Sequence, residues 1–484
     1  MPAISSLGIG SGMDINSIVT QLVALERRPL QQMQTDATKL QTKVSSYGKM
    51  QSLFSALQDA SNKLAGPTLW NEVTGKSADS AAVAVTASNG ASTGAYSVSV
   101  QALASSQTVA GSAVFANTND LAGAGTLAID LGSWNAGLTA FSPKAGASTI
   151  SITLDGSDTL TTLRDKINGA GAGVTASIVT DATGSRLAIR ARDSGVENGF
   201  RIGVTDADGN ATDATGLSRF GFNPPAGATQ LQQTQAAANA QATINGIAIN
   251  SASNSLSGVL AGVSLQLGKV TTTAVDITVN EDRETIGKAV TAFATAYSDV
   301  ARYITEQTKF DAATKTGGPL QGDSAATGLQ SQLRSILSAA SGASTTFSHL
   351  SDLGLQLQLQ RDGTLLVNQS KLDGALVNLS EVRKAFANAD TLVPTNNGFA
   401  KRYALLTSAV LGSTGAITTR TEGLRKQITN NSDKQQRLNA HVDLYEKRLV
   451  AQYTAMDANL SKLNGLSAYV TQQLAALSAN TNNR

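Results

Sequence analysis

The sequence predicts an α+β multidomain protein in which helical segments at both ends enclose a long β-rich middle. Three observations lead to this class. A chain of 484 residues is longer than one hydrophobic core usually supports. Apolar residues recur every three or four positions near both termini. Between residues 83 and 277 they instead alternate in short runs separated by Gly, Asn and Asp. We therefore expect separate helical and β-rich domains.

The amino-terminal part predicts a flexible arm followed by helix. Residues 1–12 form the arm, and Asp14 is a plausible N-cap for a helix that Pro29 is expected to end or kink. The apolar positions of this helix are Ile15, Ile18, Leu22 and Leu25. A second ladder has the spacing of a coiled-coil seam and comprises Met33, Ala37, Leu40, Val44, Tyr47, Met50, Phe54, Leu57 and Leu64.

Helical spacing returns after residue 281. The ladder from Ile286 to Ile304 is expected to pack inside its own domain. Leu355 and Val367 flank an Asp-Gly turn and predict a hairpin. The last helical tract spans residues 424–477, with apolar positions Leu438, Val442, Tyr445, Leu449, Tyr453, Met456, Leu460, Leu463, Val470, Leu474 and Leu477.

The two terminal tracts must bury their apolar stripes, since each exposed leucine forgoes roughly 1.5 to 3 kcal/mol. They can pair with each other or between subunits, and their length and charged opposite faces favour burial between molecules. The candidate contact residues are Ile15, Ile18, Leu22, Leu25, Leu40, Val44, Leu438, Val442, Tyr445, Leu449, Met456, Leu460, Leu463, Val470, Leu474 and Leu477.

Composition argues against several classes of function. With 37 basic and 35 acidic residues the formal charge is +2, too balanced for nucleic-acid binding. The absence of cysteine excludes disulfides and thiolate chemistry. No apolar run is long enough to span a membrane, and no apolar segment precedes Arg27, the first basic residue. We therefore expect neither a membrane span nor a cleaved secretory signal.

Motifs that resemble catalytic or metal sites fail in their context. Residues 90–94 match G-x-S-x-G, but a strand-like segment follows, so a turn is favoured. The glycines of residues 8–12 lack the Lys-Ser/Thr pair of a phosphate loop. The acidic residues 206–210 begin like a calcium loop, but Ala211 and Leu217 replace the required Gly and Glu. We predict no catalytic, cofactor or metal site, and no enzyme.

The domain order is nested. One helix, residues 159–168 with Asp158 as N-cap and Gly169 past its end, interrupts the β-rich middle. Residues 221–227 are interpreted as a linker leaving an inserted subdomain. The predicted domains are flexible terminal coiled-coil segments 1–45 and 440–484, a helix-rich domain 46–75 and 281–439, an inner β-rich domain 76–114 and 232–280, and an outer β-rich domain 115–231.

Five segments in order resemble the flagellar hook-associated protein 2 family, the filament caps. They are SGMDINSIV with ERRP (11–19 and 26–29), the 158–168 helix with GVTASIV (173–179), ATINGI with GVSL (242–247 and 262–265), GPLQGD (318–323) and LSDLGL (350–355). The resemblance extends over nearly the whole chain.

The resemblance implies a secreted structural protein at the distal tip of the bacterial flagellar filament. It implies a ring of protomers with helical legs and β-rich heads, and export through the flagellar type III machinery. The implied partners are flagellin, hook-filament junction proteins and a cytoplasmic export chaperone that holds the carboxy-terminal helix. Two alternatives stay open: another axial flagellar component, and a surface adhesin whose head binds host glycans.

Overall fold

The structure is a computed structural model that describes residues 14–358 and 362–481. The chain divides into two compact units. The first, called here the helical unit, comprises Met1–Trp70 and Arg283–Arg484. The second, called the β unit, comprises Asn71–Asp282. The predicted α+β multidomain class with helix at both ends is confirmed.

The helices are α1 (Ile15–Ala65), α2 (Leu160–Gly169), α3 (Arg283–Thr308), α4 (Ser324–Ser338), α5 (Gln369–Ala375), α6 (Leu379–Ala387), α7 (Phe399–Leu411) and α8 (Ala416–Thr481). Of these, α2 belongs to the β unit. The strands are β1 (Val73–Ser77), β2 (Val83–Ala87), β3 (Gly94–Ala102), β4 (Thr108–Gly111), β5 (Gly125–Trp134), β6 (Phe141–Pro143), β7 (Ile150–Leu154), β8 (Val174–Asp181), β9 (Gly184–Ala191), β10 (Gly199–Asp206), β11 (Leu231–Gln235), β12 (Ala240–Ile244), β13 (Ile247–Ser251), β14 (Ser255–Leu260), β15 (Val263–Leu267), β16 (Val275–Glu281), β17 (Phe310–Asp311), β18 (Thr316–Gly317), β19 (Leu355–Gln358) and β20 (Thr364–Val367).

The core of the helical unit is built on aromatic side chains from α1, α3, α6 and α7. Phe293 and Tyr403 meet edge to face at 5.3 Å between ring centroids, and Tyr297 meets Tyr403 at 5.8 Å. The predicted ladder from Ile286 to Ile304 is buried in this core. The hairpin expected around residues 355–367 is confirmed, because Leu355 pairs with Val367 in the β19–β20 ladder.

A buried carboxylate ties three helices of this unit together. The Tyr47 hydroxyl on α1 donates to Asp323 Oδ1 at 2.7 Å, and the Arg420 guanidinium on α8 donates to Oδ2 at 2.8 and 3.0 Å. Asp323 also caps α4 by accepting from the Ala325 amide at 3.1 Å. Burial alone would raise the pKa of Asp323, but the hydrogen bonds from Tyr47 and Arg420 outweigh it and lower the pKa. Asp323 is the last residue of the GPLQGD motif.

The β unit contains two cores. The inner core lies between the sheet β1-β16-β3-β12-β13 and the sheet β14-β15-β2. The outer core lies between α2, the sheet β10-β5-β6 with β7 beside β5, and the sheet β11-β4-β9-β8. The two chain crossings between these cores pair with each other, because Ser105 and Ala238 exchange backbone hydrogen bonds of 2.9 and 3.1 Å. Val109 already belongs to the outer core, and Gln232 and Gln233 on β11 pair with β4, so the predicted limits 114/115 and 231/232 lie a few residues inside the outer subdomain.

α1 does not end at Pro29, one of the two outcomes expected there, but continues through it. Two further local expectations are wrong. The N-cap of α2 is Thr159 rather than Asp158, and the helix includes Gly169. Residues 221–227 are part of the outer subdomain and not a linker, since Phe222 is buried in its core and pairs with Ile202.

We expect Asp323→Asn to lower the free energy of unfolding of the helical unit by about 2 to 4 kcal/mol at pH 7, since it leaves Arg420 without its counter-charge. The folded pKa lies below the unfolded value of about 3.9, so this stabilisation is present above pH 4 and is lost as the pH falls through the folded pKa. The difference between variant and parent should therefore shrink in acid.

The measurement is urea unfolding followed by the fluorescence of Trp70, which stacks on Phe386 in the helical core, with Trp134 replaced by Phe. Asp373→Asn, which removes an exposed carboxylate bonded to Gln369, is the matched control. Equal stability of the Asp323 and Asp373 variants at pH 7 would contradict the assigned role of the buried carboxylate.

We expect the β unit to fold alone, because its two cores are built from residues 82–279 without a helical-unit side chain. A fragment of residues 71–282 should show a β-rich circular dichroism spectrum and a cooperative thermal transition. A fragment that stays unfolded in buffer would refute the boundary.

Candidate assembly surface along the terminal helices

α1 and α8 pack against each other in antiparallel orientation. Ile417 and Leu424, early in α8, share the helical core with the last turns of α1, from Tyr47 to Leu64. Val442 and Leu449, further along α8, pack instead against the first turns of α1. The first turns of α1 and residues 442–449 of α8 therefore bury each other within one molecule, where the sequence had favoured burial between molecules.

The second contact forms a small core of its own, called here the terminal cluster. Its buried members are Ile15, Val19, Val23, Val442 and Leu449, and Leu22, Leu438, Tyr445, Val450 and Tyr453 pack around them. Asp14 caps α1 by accepting from the Ser17 amide at 3.0 Å. Arg27 and Glu446 form a half-exposed ion pair at 3.5 Å, a type worth about 0 to 1 kcal/mol. Apolar burial therefore carries most of the stability of this cluster.

Between the two cores the helix pair is weakly packed. Every residue of 24–45 and 425–441 is described, and none of their side chains is buried. On α8, half-buried positions recur at Ile428, Asn431, Gln435 and Leu438, with coiled-coil spacing. Gln435 Nε2 donates to Asn431 Oδ1. Polar residues in such a seam fix the register but reduce stability.

Beyond Tyr453, α8 presents an exposed apolar stripe, which we define as Met456, Leu463, Leu466, Tyr469, Val470 and Leu474. These side chains are 37 to 62% exposed. Met456, Leu463 and Val470 repeat every seven residues, as in a coiled coil. Between residues 454 and 476 the charged residues are Asp457 and Lys462, so the stripe is nearly neutral. An amphipathic surface of this kind typically marks a binding site.

The predicted contact residues are thus divided among three places. The terminal cluster contains Ile15, Leu22, Leu438, Val442, Tyr445 and Leu449. Leu40 and Val44 pack against the helical core. Met456, Leu463, Val470 and Leu474 are exposed, as is Leu25, while Ile18 and Leu460 are half-buried. The side chain of Leu477 lies outside the described residues.

Sequence reasoning missed Val19 and Val23. It followed the spacing of Ile15, Ile18, Leu22 and Leu25, whereas the buried positions on α1 recur every four residues and include Val19 and Val23. The available signal was the alternative valine row on the same helix. The role of Asp323 was also missed, although it ends a motif that the sequence analysis singled out.

In the described part of the chain, no helix is long and apolar enough to cross a membrane. The same residues contain no group of three or more His, Asp or Glu side chains placed to hold a metal ion.

Family models match most of the chain. The model of the flagellar hook-associated protein 2 N-terminus matches residues 11–107, and that of its C-terminus matches residues 237–465. The flagellin hook IN motif matches residues 141–193.

Similar proteins agree with these matches. The A-type flagellar hook-associated protein 2 of Pseudomonas aeruginosa is 31% identical over 97% of both chains. The flagellar hook-associated protein 2 of Escherichia coli K12 is 28% identical over 98% of both. A crystal structure of the D1-D2-D3 domains of the flagellar cap protein FliD from Escherichia coli superposes with a TM-score of 0.59 at 27% identity, covering 78% of this chain and 99% of that one. The chain therefore belongs to the flagellar hook-associated protein 2 family, the caps at the distal tip of the bacterial flagellar filament.

Proposed function

We propose that this cap protein holds its place in the assembly through the exposed stripe of α8, and that it promotes insertion and folding of exported flagellin subunits while preventing their loss. The observation that carries this proposal is the continuation of α8 past the terminal cluster with its apolar side chains in solvent. The partners are a neighbouring copy in a homo-oligomeric ring and the flagellin and junction proteins of the filament.

Burial of the stripe provides enough free energy for such a contact. Four of its six side chains, Leu463, Leu466, Tyr469 and Leu474, are 59 to 62% exposed. Since full burial of such a side chain contributes about 1.5 to 3 kcal/mol, burying the exposed part of all four gives roughly 4 to 7 kcal/mol before the costs of association. Because Asp457 and Lys462 carry opposite charges, little electrostatic repulsion opposes this burial.

The proposed mechanism makes and breaks no covalent bond. A ring at the tip encloses an emerging subunit so that it orders in place and does not diffuse away. Residues 24–45 and 425–441, which join the terminal cluster to the helical core, are the segments that bend as an insertion site opens. A heterologous interface between copies closes the ring.

Before export, the same stripe needs cover in the cytoplasm, since an exposed apolar helix invites aggregation. We propose that a flagellar export chaperone binds it there and releases it at the exporter. One surface then serves two partners in turn.

The cap role is preferred to the alternatives left open by the sequence. Relatives named as flagellar hook-associated protein 2 align over 97 to 98% of their length, which argues against a different axial component. The adhesin alternative gains no support from these relatives, and no contact of the β unit favours it.

We expect the double change Leu463→Ala and Leu474→Ala to leave the protein folded but to weaken its attachment to the filament tip. Each leucine buried in a tight interface contributes about 2 to 5 kcal/mol that alanine loses. Both side chains are 61% exposed in the single chain, so the fold does not need them. Cells with this variant should release flagellin into the medium and carry short filaments.

The matched control is Leu405→Ala, which truncates a leucine 53% exposed on α7, away from the stripe. Filament length and secreted flagellin are compared by electron microscopy and immunoblot. Normal filaments and export in the double variant would remove the main support for the stripe as an assembly contact.

We also expect amide exchange to separate α8 into zones. In the isolated chain, residues 454–476 should exchange fast, because their side chains lack packing, and residues 442–450 more slowly, because Val442 and Leu449 are buried. On assembly the first zone should gain protection. Strong protection of residues 454–476 in a monomer, or no gain on assembly, would count against an assembly role.

A further inference from the structure

β8 is an edge strand whose own residues 174–180 carry none of the usual devices against pairing with another chain. It ends the sheet β11-β4-β9-β8 and has eight residues, more than the usual five or six. Its register with β9 runs from Val174 to Asp181 without a bulge. Residues 174–180 contain neither a charge nor a proline. Natural sheets normally protect such an edge with these devices or by covering it.

One side chain occupies the middle of this edge. The Ala176 amide donates to Asn168 Oδ1 at 2.7 Å, and Asn168 Nδ2 donates to the Ala176 carbonyl at 2.9 Å. A carboxamide presents one acceptor and one donor in the same plane, as a backbone peptide does. Asn168 therefore makes the two hydrogen bonds with which a residue of an added antiparallel strand would engage Ala176.

The helix that carries Asn168 is firmly placed. Leu163 and Ile167 on α2 are buried in the outer core. Thr159 caps α2, and the Lys166 ammonium bonds the buried Asp158 carboxylate at 2.6 Å. These contacts fix the end of α2 beside β8, so the carboxamide needs little further ordering to reach the edge.

We infer that Asn168 is an edge plug that prevents β8 from pairing with β8 of a second copy of this chain. The second copy is the partner because the edge is self-complementary. An antiparallel pair centred on Ala176 places Thr175 opposite Ser177 of the other copy and brings no like charges together within residues 174–178. Ile178 and Thr180 follow Ala176 by two and four residues, so their backbone N–H and C=O groups face the same side of the strand as those of Ala176. The plug thus blocks the centre of the symmetric pairing.

The test compares full-length chains with substitutions at Asn168. Asn168→Ala removes both hydrogen bonds and leaves the Ala176 peptide open, so a concentration-dependent association absent from the parent should appear in sedimentation velocity. Asn168→Asp also loses the donor, but it places two carboxylates at the centre of any β8 pair. The Asn168→Asp chain should therefore associate no more than the parent, even if its stability is as low as that of the alanine variant.

Site-specific cross-linking identifies the contact whatever other contacts the copies make. The chain has no cysteine, so Thr175→Cys and Ser177→Cys each introduce a single thiol on an exposed position of β8. In the Asn168→Ala background, an oxidised mixture of the two cysteine chains should yield at least five times more disulfide dimer than in the parent background. The mixture should also exceed either chain alone, as the antiparallel register requires.

Asn135→Ala is the matched control, since Asn135 accepts from the Thr139 and Ala140 amides at 2.8 and 3.2 Å in a turn of the same subdomain, away from β8. It should not associate. The inference is overturned if folded Asn168→Ala associates and cross-links no more than the parent, or if Asn168→Asp associates as strongly as Asn168→Ala. If Asn168→Ala does not fold, a parent chain whose Ala176 amide, bonded to Asn168, exchanges as fast as the Ile178 amide on the same edge overturns it as well.

Discussion

The antiparallel packing of α1 on α8 is the contact on which the helical unit depends. It joins segments more than 350 residues apart and closes the unit from both ends of the chain. Closing so long a loop is entropically unfavourable, and extensive apolar burial offsets it near Tyr47 and Leu64. Asp323 adds specificity at the same place, since a buried carboxylate is tolerated only where Tyr47 and Arg420 both reach it. Helices α1, α4 and α8 are thereby fixed in one arrangement.

From this base the helix pair changes character along its length. Near the helical core the pair is tightly packed. In the middle, the contact positions Asn431 and Gln435 are polar and half-buried, and at the terminal cluster apolar side chains are buried again. The side chains of the stripe beyond are exposed, and Tyr469 accepts a hydrogen bond from Gln473 within the same helix. Local stability is therefore lowest in the middle of the helix pair and beyond the terminal cluster, which suits the proposed exchange of partners at the stripe.

Local periodicity predicted the terminal helices, α2, α3 and the β19–β20 hairpin, because 3.6- and 2-residue patterns follow directly from which face is buried. It gave no signal for α5, α6 and α7, and it placed the division between the inner and outer β cores a few residues inside the outer one, since both have the same alternation and residues such as Val109 look alike in either. It expected Pro29 to end or kink α1, and the helix continues through this residue. Asn168 and Asp323 gave no periodic signal, because their roles depend on partners that only the tertiary fold supplies.

The weak middle of the helix pair also has a mechanical meaning. Residues 24–45 span about 33 Å at 1.5 Å per residue, so a small bend near the helical core moves the terminal cluster by several ångströms. Because no side chain of residues 24–45 is buried, the bend exposes no buried side chain, and the stiffness of the helix itself is the main resistance to it. Residues 24–45 therefore act as a flexible lever held between two packed regions, the helical core and the terminal cluster. In the proposed cap role, such levers let the terminal cluster move by thermal motion while the helical core stays folded.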